Sequence, residues 1–250
     1  MVDLFEEVEE QLRSDRYKSL ALKAAPWVSG ILALALVVAL GVWGWQAYTT
    51  RAHSTASEQY AQAMEAFGRG DQDTAYRLWG EVAKSSSKGY KSLALMQQGG
   101  IRLSAGKTDE AVKLFDEAGK AATSPLIADA ARLKSALALL DTASYKDMEA
   151  RLTPLTEEGR PYRVQAREAL AFAKLMAGNT AGARDDFSVI QRMIDAPDGA
   201  RQRAAAAIDL IDSGGAKSVP AAVKAAAALP PPVAPTDGAP APQPQGPGPQ

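Results

Sequence analysis

Few residues in this chain could carry covalent chemistry. His53 is the sole histidine among 250 residues, and cysteine is absent. Any Ser-His-Asp arrangement would need His53 as its base, and thiolate nucleophiles, thiolate metal sites and disulfides cannot form. Carboxylates come in pairs, as Asp109-Glu110, Glu157-Glu158 and Asp185-Asp186. They fall at turns or polar helix faces, where solvation is their ordinary state. Phosphate-cradling glycine loops, G-x-S-x-G and H-E-x-x-H are missing. The expectation is a chain with no catalytic, metal or cofactor-binding residues, not an enzyme. With 28 basic against 29 acidic residues, it also lacks the basic surplus of a nucleic-acid binder. What remains is non-covalent recognition by apolar and aromatic side chains.

The first element that must position them is a membrane span. Between Lys23 and Arg51 lie 27 residues without a charge. Pro26–Tyr48 makes roughly 34 Å of helix at about 1.5 Å per residue, enough to cross a hydrocarbon core of about 30 Å. Trp27 marks one end, and Trp43, Trp45 and Tyr48 the other, as aromatic rings do at headgroup level. The preceding 23 residues are net acidic, and the apolar run is too long for a signal-peptide core, so an uncleaved anchor over 24–50, embedded in lipid, is expected. Arg13, Arg16, Lys18 and Lys23 precede the span while Arg51 alone follows closely. By the positive-inside rule residues 1–23 are cytoplasmic and the rest lies beyond the membrane, in a bacterium the periplasm.

The head begins Asp3-Leu4-Phe5-Glu6, a D-x-x-E capping signal. Leu4, Phe5, Val8 and Leu12 then recur at helical spacing. They form either a docking face for a cytoplasmic partner or a plain lead-in to the span.

Beyond the span the chain repeats. Gly70, Gly106 and Gly178 are each followed five residues later by Ala75, Ala111 and Ala183, then four later by Trp79, Phe115 and Phe187. The spacing is 36 and then 72 residues, so a copy is missing near 142–151; there Met148, Leu152 and Leu155 keep an apolar stripe one position late. Glycine serves a turn between two helices, alanine a close helix crossing, and the ring fills the interface. Such pairs cover their apolar faces only by stacking. The pattern resembles the tetratricopeptide repeat, with Leu95, Gly99, Gly106, Ala111, Phe115 and Ala118 at that motif's spacing. Four repeats are expected, at about 54–88, 89–124, 125–160 and 161–196, with a capping helix at 198–213. The predicted fold is all-α: a single transmembrane helix, a tetratricopeptide-like solenoid over 51–215, and an Ala/Pro/Gly/Gln-rich disordered tail over 216–250. Within that tail Lys217–Leu229 has the makings of a marginal helix.

In such an array the first helix of each pair lines the concave face. On this register the partner groove comprises Tyr60, Met64, Phe67, Met96, Leu103, Arg132 and Phe172, with Leu139, Glu168 and Leu175 alongside. Ring and methionine side chains suit adaptable binding of extended chains. Packing between helices is the alternative for each of them.

The head VDLFEEVEEQLRSDR, the single span and the irregular repeats together resemble the YfgM-type ancillary subunit of the bacterial Sec translocon, over roughly residues 2–195. That resemblance implies an inner-membrane protein with a periplasmic repeat domain. It also implies association with a SecYEG-type channel and a PpiD-type periplasmic chaperone, assistance to emerging clients, and no catalysis. The alternative is a scaffold for another envelope assembly, such as division or cell-wall machinery.

Overall fold

The computed structural model describes the backbone of residues 3–227, and side chains over 25–226 together with those of Lys18 and Lys23. The side chains of Leu4, Phe5, Val8 and Leu12, and the tail from residue 228, lie outside the described residues. The described part is all-helical. Its ten α-helices are α1 (Asp3–Gly68), α2 (Gln72–Ala83), α3 (Lys88–Ser104), α4 (Thr108–Ala121), α5 (Pro125–Ala138), α6 (Tyr145–Leu152), α7 (Arg163–Met176), α8 (Thr180–Arg192), α9 (Asp198–Asp212) and α10 (Val219–Ala227).

Head, span and first repeat helix are one element. α1 runs 66 residues, and no glycine or proline stands between Tyr48 and Gly68 to stop it. From Ala25 it is long and apolar enough to cross a membrane.

The repeat spacing is realised as expected. α1–α2, α3–α4, α5–α6 and α7–α8 are the four helix pairs, and α9 follows as the cap. Each repeat glycine takes the left-handed conformation, with φ of +83° at Gly70, +72° at Gly106 and +79° at Gly178. At each one the glycine N–H and the next residue's N–H return to the preceding helix: Gly106 to the Leu103 carbonyl, Lys107 to the Arg102 carbonyl, at 3.0 and 2.9 Å. This double closure satisfies carbonyls a helix end would leave orphaned. The degenerate copy has no such glycine. A six-residue link, 139–144, replaces the tight turn, and Ser144 accepts from the Asp147 N–H to start an eight-residue α6. Met148, Leu152 and Leu155 are all buried.

The helices pack as two compact units, Met1–Ala128 and Asp129–Gln250. The first is built on Trp79, enclosed by Ala56, Ala63, Ala66, Ala75, Val82 and Ala94, with Phe115 buried between α3 and α4. In the second, one cluster centres on Leu133, Met148, Leu152 and Leu170. Another gathers Leu175, Phe187, Ile190 and Ile208. The small residues at helix crossings, Ala75, Ala111 and Ala183, are fully buried.

Residues 215–227 differ from the expected disordered tail. A short 3₁₀ turn, Gly215–Ser218, leads into α10, which occupies most of the marginal helix read at Lys217–Leu229. Ala216 is buried in the α7–α9 cluster, and α10 also touches α7.

Candidate protein-binding face

In the first unit the end of α1 and the first half of α3 stand side by side, joined by side chains at the edge of the Trp79 cluster. Gln97 of α3 donates from Nε2 to the Tyr60 hydroxyl at 3.1 Å, and the same nitrogen lies 3.9 Å from Met64 Sδ. Tyr90 donates to Ser57 Oγ at 2.8 Å. Behind them Tyr60 stacks obliquely on Trp79 and Tyr90, with centroids 6.2 and 5.8 Å apart, and Phe67 lies 5.6 Å from Trp79. Offset and tilted rings at such distances favour a fixed arrangement.

The expected groove residues divide by exposure. Met64, Phe67 and Leu103 are 43%, 42% and 38% exposed; they are large apolar side chains in water. Phe67 lines a shallow cleft with Gln72, Gln97, Gly100 and Ile101. Tyr60 and Met96 are half-buried, and Tyr60 is the hinge between the ring cluster and the surface. In the second unit Arg132 is exposed and reaches Asp129 at 3.4 Å. Phe172 is half-buried, edge-on against Phe187 at 5.3 Å. Leu175 is buried, so it belongs to the core. Leu139 packs at the edge of the Met148 cluster, and Glu168 is held by both oxygens on Arg203, at 2.6 and 2.8 Å.

Sequence reading missed Gln97, Tyr90 and Ser57. They are polar residues whose partners lie 33 or 37 positions away, a separation close to the repeat length, and that period is the signal that could have paired them. It also placed Asp186 in solvent, whereas Asp186 is buried between Arg167 at 2.9 Å and Lys174 at 2.6 Å. Two cations on α7 make that burial tolerable, since an unpaired carboxylate there would not be. Asp185, Asp109, Glu110, Glu157 and Glu158 are exposed as expected. His53 is exposed too, its Nδ1 2.8 Å from Ser87 Oγ. Among the described residues no three His, Asp or Glu side chains are grouped as a metal site.

Exposed apolar side chains on paired helices are the main feature of this face. Comparison with known families matches residues 23–209 to the tetratricopeptide repeat-like domain. No curated protein and no solved structure matches the chain. The family match starts before the apolar stretch of α1 and ends within α9, covering well over half of the chain; the chain belongs to the tetratricopeptide repeat-like domain family.

Proposed function

We propose that this is a non-enzymatic, single-pass bacterial inner-membrane protein whose repeat domain binds other proteins in the periplasm. In this reading it is an accessory of the Sec translocon, holding SecYEG-type channel subunits, a PpiD-type chaperone or emerging clients. The observation carrying the protein-binding part is the exposure of Met64, Phe67 and Leu103 on a repeat fold, with Phe67 backed by Trp79. Repeat arrays of this kind present such surfaces to extended or helical segments. The single apolar helix and the cytoplasmic basic edge support the anchoring and its orientation. An anchored domain meets its partners at raised effective concentration, so weak contacts suffice. The translocon assignment rests on the head sequence and on the order of anchor and repeats.

The test is site-specific crosslinking in living cells from Met64, Phe67 and Leu103, and separately from Leu4 and Phe5. Capture of channel subunits and a periplasmic chaperone is the expected result. Capture of division or cell-wall proteins instead would transfer the chain to another envelope scaffold. Replacing Met64, Phe67 and Leu103 together with serine should weaken capture while leaving the fold intact. Tyr60 is a poorer choice, because it also supports Trp79.

A further inference from the structure

The part of α1 just beyond Tyr48 carries a second, different surface. Trp43, Trp45 and Tyr48 are 70%, 70% and 61% exposed, the positions of an interfacial aromatic belt if α1 spans a membrane. Arg51 follows about 4.5 Å further along the axis and Thr55 about 10 Å. The headgroup layer of one leaflet is about 5–8 Å thick, so these residues emerge within and just above it.

The turn joining α2 to α3 folds back onto this part of the helix. Ser87 Oγ meets His53 Nδ1 at 2.8 Å, and Tyr90 donates to Ser57 one turn on. Both bonds hold the sequence Lys84-Ser85-Ser86-Ser87-Lys88 against α1. The same stretch of α1 carries a shallow cleft rimmed by Tyr48, Arg51, Thr55, Gln59, Ser85 and Ser86, with Ala52 and Ala56 as its floor. Thr55 and Ser86 are exposed at its rim, and their hydroxyls are free to donate to an acceptor in the cleft. Lys84 is paired with Glu81 at 2.9 Å, while Arg51 and Lys88 make no ion pair among the described residues.

We propose that this cleft binds the phosphate headgroup of an anionic phospholipid in the same membrane. Arg51 supplies the cation. Ser86 and Thr55 donate to phosphate oxygens, and the alanine floor accepts the first methylenes of the lipid. Charge-assisted hydrogen bonds favour phosphate at such a site. A soluble anion would gain nothing from the apolar floor, and its position beside the aromatic belt puts lipid within reach. The site rests on reading α1 as a span.

The test uses the full chain, purified in mild detergent with an equal mixture of phosphatidylglycerol and phosphatidylcholine, and native mass spectrometry of the retained lipid. Preferential retention of phosphatidylglycerol is expected. Arg51→Gln should lower that preference about fivefold, the effect of one basic residue at an anionic surface. Thr55→Val should lower it as well, and Lys113→Gln, exposed on α4 outside the cleft, should not. Circular dichroism of each variant establishes that it is folded. An unchanged preference in Arg51→Gln overturns the proposal, as does displacement of the lipid by excess inorganic phosphate. Flotation of the chain with membranes after alkaline carbonate is read in parallel. Loss of flotation strikes the span itself, whereas intact flotation without lipid preference strikes the headgroup site alone.

Discussion

Two adjacent glycines in α3 have opposite roles, and the difference is a matter of ångströms. A Cβ on Gly99 would stand 2.6 Å from Phe115 Cε1, whereas one on Gly100 would meet nothing within 4 Å. Alanine gains up to about 1 kcal/mol over glycine inside a helix, but overpacking a buried ring costs about 1–3 kcal/mol. Gly99→Ala should therefore lower the thermal midpoint and Gly100→Ala raise it, each by a few degrees. Midpoints moving the same way would mean that the Phe115 ring is free to shift. Gly106→Ala should also destabilise, by about 1–2 kcal/mol, because its φ of +72° is left-handed. Titration has two windows. Asp195 and Asp212 are held below the ordinary carboxylate value of 3.8, first by hydrogen bonds from Arg163 and Arg184. Their contribution is present above that value and lost as pH falls through the depressed ones. Tyr145 donates to Glu149 at 2.7 Å, and its phenol is pushed up to about 12 from 10.0, chiefly by that bond. Its contribution holds below pH 10 and disappears as pH rises towards 12. Urea melts across pH should show both flanks, and Tyr145→Phe should flatten only the alkaline one.

Helices in this chain are stabilised by neighbours, and Trp79 is where α2 depends on α1. It is the largest fully buried side chain, and its ring backs both Tyr60 and Phe67. Trp79→Ala should cost about 3–5 kcal/mol, a large share of a typical 5–15 kcal/mol total. Because repeats couple chiefly to adjacent repeats, hydrogen exchange should speed up in α2 and the end of α1 while α8 keeps its protection. Equal loss in α8 would contradict that independence. The helix pairs were legible in the sequence because left-handed turns demand glycine and close crossings demand alanine, so both recur with the period. The third pair was legible only through its displaced apolar stripe, Met148 and Leu152. The unbroken α1 was not legible: charge and hydropathy change at residues 24 and 51, and Pro26 stands inside the helix without ending it. On the surface, Met64, Phe67 and Leu103 are exposed, while Gln97 and the Arg203–Glu168 pair depend on stacking that no local pattern encodes. Likewise the burial of Asp186 comes from cations brought to it by α7.

At the scale of the molecule, one helix has two unlike ends. Residues 25–46 of α1 are exposed along their whole length, while the same helix buries Ala56, Ala63 and Ala66 against Trp79. The apolar stretch therefore contributes nothing to the packing of the first unit, and by length and composition it is suited to crossing a membrane. A chain beginning at Arg51 should then fold alone in plain buffer. The first buried residue, Ala56, leaves more than one helical turn of new N-terminus to fray, so the loss should stay near 0.5 kcal/mol, as for changes away from packed features. Thermal melting followed by circular dichroism should give a cooperative transition within about 2 °C of the full chain in mild detergent. Broad or absent melting of the shortened chain would show that α1 needs its membrane portion to hold the repeat end in register. In that case Tyr60 and Phe67 would lose their fixed backing together with Trp79, and capture through the exposed apolar trio should fall in the same preparation.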